Sequence, residues 1–438
     1  MKKIFIGLAL ILAAFTASAQ VKSDQVIQKA IDKAVADSQN PKKAAKVGTW
    51  IKLSDAYLKA YNNPLANVAG GDKTQVMMLL GGEQPISTEI VTLQGEYFEK
   101  NVFANKNLYF NSNGFLAFSE VTKPSYDGDA LGEAAAALAK AYEVDAKGQK
   151  KEDIGKTLQQ IAAYYASDAA TAFNLGRIAQ SSVLFGKAGA VSMQAPCPSV
   201  DSSSVYNAAL TAYMVQNYDR AIEYYKKALE IGYASEGNTY AALSECLLQQ
   251  KDTVAARKVL EEGFAAYPQS DRIITSLIDF YRMVNEDPAK ILDLLEEAKV
   301  KMPDNPALYY VEGDILVKMN KYDEAVQAYR KSAEINPQYE WGYYGEGVLW
   351  FTRAVATQEE ANALPFNEYR KYDELIARMG EELKNTIEPF EKCYSLTQNQ
   401  ALKDAVADNL KRIYFALRNE SPEYKAAYEK YNAIVSGE

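Results

Sequence analysis

Apolar positions recur at helical spacing along most of the chain. Between residues 202 and 339 they come in a fixed order: Ala221, Tyr225 and Ala228; Ala256, Leu260 and Gly263; Ile291, Leu295 and Ala298; Ala325, Tyr329 and Ser332. Residues four and then three apart share one face of a helix. From the first residue of one set to the first of the next, the steps are 35, 35 and 34 residues. Pro268, Pro303 and Pro337 close three of the units, where proline stops a helix. Partner stripes precede the sets, such as Tyr309, Gly313 and Leu316, and then Tyr343, Gly347 and Trp350. Small residues let two helices approach, and the larger ones fill the space beside them. The pattern predicts antiparallel helix pairs, with a polar cap such as Asn217 opening a second helix. Weaker members are expected at 162–195, on Gly176, Ser181, Phe185 and Ala188, and at the C-terminus, on Leu410, Tyr414, Tyr424, Ala427 and Tyr431.

The period breaks twice. Trp50, Leu53, Ser54 and Tyr57 form a first-helix stripe, but the matching second stripe, Ala134, Leu138 and Ala141, begins 84 residues after Trp50. An uninterrupted unit needs about 16, so about 68 residues interrupt one helix pair. Inside them the pattern changes to strands. Asn113-Gly114, between Tyr109-Phe110 and Phe115, predicts a tight two-residue hairpin turn. Residues 88–104 add one or two strands around Gln94-Gly95, for a sheet of three or four. Tyr109, Phe115 and Phe118 are expected to seal the end of the helical array, and the alternative is a surface that docks a strand or a glycan. The second break follows Trp341. Residues rich in Glu, Ala and Lys predict a further helix reaching out, with Pro365 near its start, before Thr386, Phe390 and Cys393 resume the pattern.

The set of repeats resembles the tetratricopeptide repeat, whose pattern is a 34-residue helix–turn–helix with large and small residues alternating in this order. Glu312, where Leu is usual, and Tyr233, where Pro is usual, depart from it. The resemblance implies an all-α solenoid of helix hairpins wound as a right-handed superhelix, carrying a small antiparallel β insertion near the N-terminus. The expected organisation is residues 1–20 as a signal peptide and 21–145 as a split repeat with its insertion at about 61–128. A degenerate unit follows at 146–201, four tandem units at 202–339, a second split unit at 340–398 and a closing helix pair at 399–438. Members of the family hold peptides or protein segments in a concave groove made by the first helices. Here the matching positions carry Tyr206, Tyr213, Asp279, Arg282, Tyr310, Asp314, Lys318, Tyr344 and Phe351. Aromatic anchors among a few charges suit a binding surface. The Lys/Asn clamp of the chaperone-binding subtype is missing, since its places hold Tyr206, Leu210, Ala241 and Glu245.

Composition narrows the chemistry. The 438 residues contain no histidine, which removes Ser-His-Asp triads, Cys-His pairs and His-ligated metals. No nucleotide-binding or hydrolase motif is present, so no catalytic residue, cofactor or metal site is assigned and an enzyme is not expected. A net charge of −9 with no basic stripe argues against nucleic acid. Three cysteines, Cys197, Cys246 and Cys393, make no disulfide framework, and the last two fall on apolar faces. Lys2 and Lys3, an apolar run from Ile4 to Phe15 and an A-x-A site at Ala17–Ala19 read as a cleaved export signal, because the run is short for a membrane span. Its "SAQ" ending resembles exported proteins of the Bacteroidetes. The expectation is therefore an exported scaffold, in the periplasm or at the periplasmic side of the outer membrane, that binds a protein or peptide. The alternative is a glycan-binding protein of the cell envelope using aromatic stacking.

Overall fold

A computed structural model describes residues 22–284 and 287–436; the export signal read at 1–20 lies outside the described residues. The chain divides into two compact units, one formed by residues up to 235 with 242–256, the other by 236–241 with 257 onward.

The first unit opens with α1 (Asp24–Gln39), the single turn α2 (Pro41–Ala44) and α3 (Val47–Asn62). Then come α4 (Lys73–Leu79), strands β1 (Ser87–Leu93), β2 (Glu96–Val102), β3 (Lys106–Phe110) and β4 (Leu116–Val121), and α5 (Ala130–Val144). Helices α6 (Lys151–Asn174), α7 (Ile178–Ser192), α8 (Ser202–Met214) and α9 (Tyr218–Glu230) follow. Helices α3 and α5 pack together, although the whole sheet lies between them in sequence. Leu53 and Tyr57 of α3 share one buried cluster with Leu131, Ala134, Leu138 and Ala141 of α5 and with Ile154, Leu158 and Ile161 of α6. Small side chains on α5 allow the close approach that carries this core.

The insertion is a four-stranded antiparallel sheet in the order β1-β2-β3-β4. Gln94 (φ 54°) and Gly95 (φ 82°) form the two-residue turn between β1 and β2. The β3–β4 turn differs from the tight Asn113-Gly114 expectation. Phe110 pairs with Leu116, which leaves five residues in the loop, and only Gly114 takes a positive φ, 77°. Two causes are visible. The Asn111 carboxamide oxygen accepts from the backbone N–H of Asn113 and of Phe115, both at 3.0 Å. The segment before α4 also captures the loop, since Leu116 N–H donates to Gly71 C=O and Lys73 N–H to Gly114 C=O. Leu108, Phe110 and Leu116 then bury against Val76 of α4 and Leu80 just after it, while Tyr109 stacks on Phe118 at 4.4 Å on the opposite face. Phe115, expected in a seal, is 53% exposed.

Helices α10 (Asn238–Gln249) and α11 (Thr253–Ala266) each give residues to both units. The second unit continues with α12 (Asp271–Met283), α13 (Pro288–Lys301), α14 (Pro306–Lys318) and α15 (Tyr322–Ile335). It closes with α16 (Glu340–Asn362), α17 (Tyr369–Leu396), α18 (Gln400–Leu417) and α19 (Pro422–Ser436). Each of α14 to α19 packs on the next. The second insertion makes no separate helix. It lengthens both helices of one pair, to 23 residues in α16 and 28 in α17, and Pro365 sits in the turn between them. Residues of high helix propensity continue on both sides, and Ala354, Ala361, Leu375 and Leu383 keep an apolar seam buried along the extension. The two described cysteines expected in cores, Cys246 and Cys393, are fully buried. No helix among the described residues is long and apolar enough to cross a membrane.

Candidate functional site

A cleft of about 540 Å³ opens in the second unit among α14, α15, α16 and α17. Its shape starts from two glycines. A Cβ on Gly313 of α14 would lie 2.5 Å from Tyr329 Cε1, and one on Gly345 of α16 would lie 2.6 Å from Tyr329 Cδ1. The Tyr329 ring thus fills a slot that only two bare backbones leave open. Its hydroxyl emerges to donate to Asp314 Oδ1 at 2.6 Å. Tyr310 lies beside it, with its ring 5.9 Å from that of Tyr329 and 6.1 Å from that of Trp341. Tyr344 reaches in from α16, backed by Phe390 at 6.3 Å. Burial, with Asp314 close by, pushes the Tyr310 hydroxyl well up, and burial raises that of Tyr344. Both therefore stay protonated and can donate hydrogen bonds near neutral pH.

The far wall comes from the lengthened part of α16 and α17. Arg353 lies over the rings of Trp350, at 4.9 Å, and Tyr322, at 5.7 Å. Its Nε stands 3.4 Å from Oε1 of Glu382, a carboxylate that is only 4% exposed. Glu382 Oε1 also accepts from Arg378 Nε at 3.1 Å, and its Oε2 from Thr357 Oγ1 at 2.6 Å. A buried carboxylate held this way fixes two guanidinium groups at the rim of the cleft. The arrangement offers stacking faces, hydroxyl donors and fixed positive charge, with Val317, Val348 and Leu349 as an apolar floor.

Four of the nine residues expected in a groove, Tyr310, Asp314, Lys318 and Tyr344, line this cleft together. Phe351 does not; it packs against the cluster of α17 and α18 around Phe390 and Leu410. Asp279 is exposed on α12 and lines no part of it, and the Arg282 side chain lies outside the described residues. Tyr206 and Tyr213 belong to the first unit. The Tyr206 ring is half-buried, 5.5 Å from Tyr225 and 5.4 Å from Tyr233, and so packs against α9 and the turn that follows it. The Tyr213 hydroxyl donates to Glu245. The sequence pattern missed Tyr322, Arg353, Thr357 and Arg378. All but Tyr322 stand in the lengthened helices, where no repeat position marks them. Among the described residues, no group of three or more Cys, Asp and Glu side chains is placed to hold a metal ion.

Comparisons with known proteins agree with the helix pairs. A model described as tetratricopeptide repeat matches residues 212–277, and one described as TPR repeat matches 313–351, which spans much of the cleft. A TPR repeat-containing protein of Methanocaldococcus jannaschii is 26% identical over 125 residues, 26% of this chain and 20% of that one, so the chain spans about a fifth of that relative. Among solved structures, a MamA protein aligns over 45% of this chain and 96% of its own at 18% identity, with a TM-score of 0.30. YrrB, described as a TPR protein with an unusual peptide-binding site, covers 48% and 97% at 16% identity, with a TM-score of 0.30. A TPR repeats protein from Bacteroides fragilis covers 62% and 98% at 16% identity, with a TM-score of 0.29. Family models match at these two separate stretches, and helix pairs recur where the 34-to-35-residue steps put them, so these parts of the chain are tetratricopeptide repeats.

Proposed function

We propose that this protein is an exported, non-enzymatic scaffold whose second unit holds a peptide segment of a partner protein in the cleft of α14 to α17. One observation carries the reading. Tyrosines from three helices converge on an apolar floor, and two arginines are fixed at the rim by a buried glutamate. Preorganised aromatic and guanidinium groups lower the ordering cost of binding and are what energetic centres of protein interfaces are made of. The segment that suits it has an apolar or aromatic anchor for the floor and a carboxylate for Arg353 and Arg378. Export rests on the Lys2–Lys3, apolar-run and A-x-A pattern.

A displayed peptide library selected on the purified protein tests the binding. Selected peptides should carry an apolar anchor beside an acidic residue. They should lose at least tenfold in affinity, about 1.4 kcal/mol, against Tyr344→Ala or Arg353→Glu variants whose circular dichroism is unchanged. Peptides that bind those variants as well as the parent would refute the site. Selection of nothing, together with hits on a carbohydrate array, would favour the glycan alternative. For export, mass spectrometry of the protein from a periplasmic fraction should find the N-terminus just past the A-x-A site, at Gln20 or Val21.

A further inference from the structure

The first unit holds a second hollow, of about 590 Å³, where β4 of the insertion faces α3, α6 and α7. Its volume is that of a small-molecule site. The walls are aromatic. Tyr61 and Tyr164 lie with ring centres 5.0 Å apart, and Tyr165, Tyr126 and Phe118 are the other rings in the lining. Three carboxyl groups also reach it, and their partners differ. Glu120 of β4 takes Arg177 Nη2 at 2.7 Å and the Tyr109 hydroxyl at 2.9 Å. Asp129, the cap of α5, takes Lys187 Nζ at 2.7 Å, the Tyr165 hydroxyl at 2.5 Å and the Gly132 N–H at 3.1 Å. Asp168, in the C-terminal half of α6, takes among the described residues only a hydroxyl, that of Tyr61, at 3.0 Å. Among the described residues it forms no ion pair.

We propose that this hollow binds an organic cation, a primary ammonium on a flexible carbon chain, with the charge against Asp168 and the chain along Tyr61, Tyr164 and Tyr165. Two of the three carboxylates already have a protein cation, and the ligand's ammonium is the counterpart of the third. Aromatic faces around a desolvated cation add attraction through the ring quadrupoles. Asp168 has an acidity that fits this use. Burial, partly offset by the Tyr61 hydrogen bond and reinforced by the charge on Asp129, raises its carboxyl to about 7. The groups facing it are Tyr61 from α3, Tyr164 and Tyr165 from its own helix, Asp129 ahead of α5, Lys187 from α7, and the Arg177–Glu120 pair beyond. Well below pH 7 the site therefore holds a mainly neutral carboxyl group. An arriving ammonium favours the carboxylate, so the Asp168 proton leaves to solvent as the cation binds.

Titration calorimetry of the whole protein with pentylamine tests this, with pentanol as the uncharged counterpart. Pentylamine should bind with a dissociation constant near or below 1 mM at pH 8. Affinity should fall roughly tenfold per pH unit once the pH is well below 7, and buffers of different ionisation heat should reveal about one proton released at pH 6. Asp168→Asn keeps an oxygen for the Tyr61 hydroxyl, so the variant should fold. It should weaken pentylamine at least tenfold and remove the pH dependence. A parallel titration with acetyl-lysine methylamide distinguishes the two sources of the ammonium: tighter binding than pentylamine assigns a lysine side chain of a partner, weaker binding a free amine. Pentanol binding as tightly as pentylamine, no pentylamine binding at pH 8, or unchanged binding to Asp168→Asn would each overturn the proposal.

Discussion

Replacing Gly345 by alanine adds one methyl group to the helix that forms one side of the cleft. Taken alone, the change favours folding, because alanine in a helix interior is better than glycine by about 1 kcal/mol. The structure reverses the sign. The new Cβ would stand 2.6 Å from Tyr329 Cδ1 and 2.9 Å from Cζ, where about 3.5–4.0 Å is comfortable. The ring has little room to retreat, since Gly313 meets the same edge from α14, with Cζ at 2.8 Å from its ideal Cβ. Overpacking of this kind costs about 1–3 kcal/mol. Any shift of the ring also strains the Tyr329–Asp314 hydrogen bond, a bond to a charged acceptor worth about 1.5–3 kcal/mol. The net expectation is a loss of about 1–3 kcal/mol. Gly380→Ala in α17 is the internal control. Its Cβ would meet nothing nearer than Glu420 Oε1 at 3.8 Å, so it should gain about 1 kcal/mol. Urea unfolding in a Trp50→Phe background leaves Trp341 and Trp350, both on α16, as the fluorescent reporters. Equal or greater stability in Gly345→Ala than in the parent would refute the clamped-ring account of the cleft.

The other predictions use different handles. Asp168 has its carboxyl raised from 3.8 to about 7, so the native state holds more protons than the unfolded chain between those values. Stability of the first unit should therefore fall as pH rises from 4 to 7 and level off above. Asp168→Asn should flatten that slope and be the more stable at pH 8, by at most about 4 kcal/mol; Trp50 fluorescence in urea at pH 5 and pH 8 measures it. Tyr329→Phe should cost about 1–3 kcal/mol by removing a donor from Asp314, and equal urea midpoints would contradict the bond. Burial pushes the thiols of Cys246 and Cys393 up to about 12, whereas Cys197 is partly exposed. Iodoacetamide at pH 8 should label the native chain once, at Cys197, and three times in urea; early labelling of Cys246 would contradict its burial in α10.

Much of the helical framework is legible in the sequence, because local physics writes it there. A helix face must repeat its small and large residues every three or four positions, and a helix pair must close in about 34 residues. Ala221, Tyr225 and Ala228, like Ala325, Tyr329 and Ser332, are buried as that rule requires. The Gln94-Gly95 turn follows from backbone conformation alone. Other features depend on partners distant in the chain. The Asn113-Gly114 loop widened because Gly71 and Asp72, some forty residues earlier, compete for its backbone. Tyr206 and Tyr310 occupy equivalent repeat positions, yet one packs against α9 and the turn after it and the other faces a cleft. Arg353 and Arg378 gain their role from Glu382, and Asp168 from Tyr61 and Asp129, through contacts that no local spacing encodes. The sequence by itself therefore determined the helix pairs, their step and the presence of a β insertion. Only the tertiary structure decided which tyrosines stay accessible and which carboxyl groups are left without a cation, because burial and charge pairing are properties of surfaces brought together by folding.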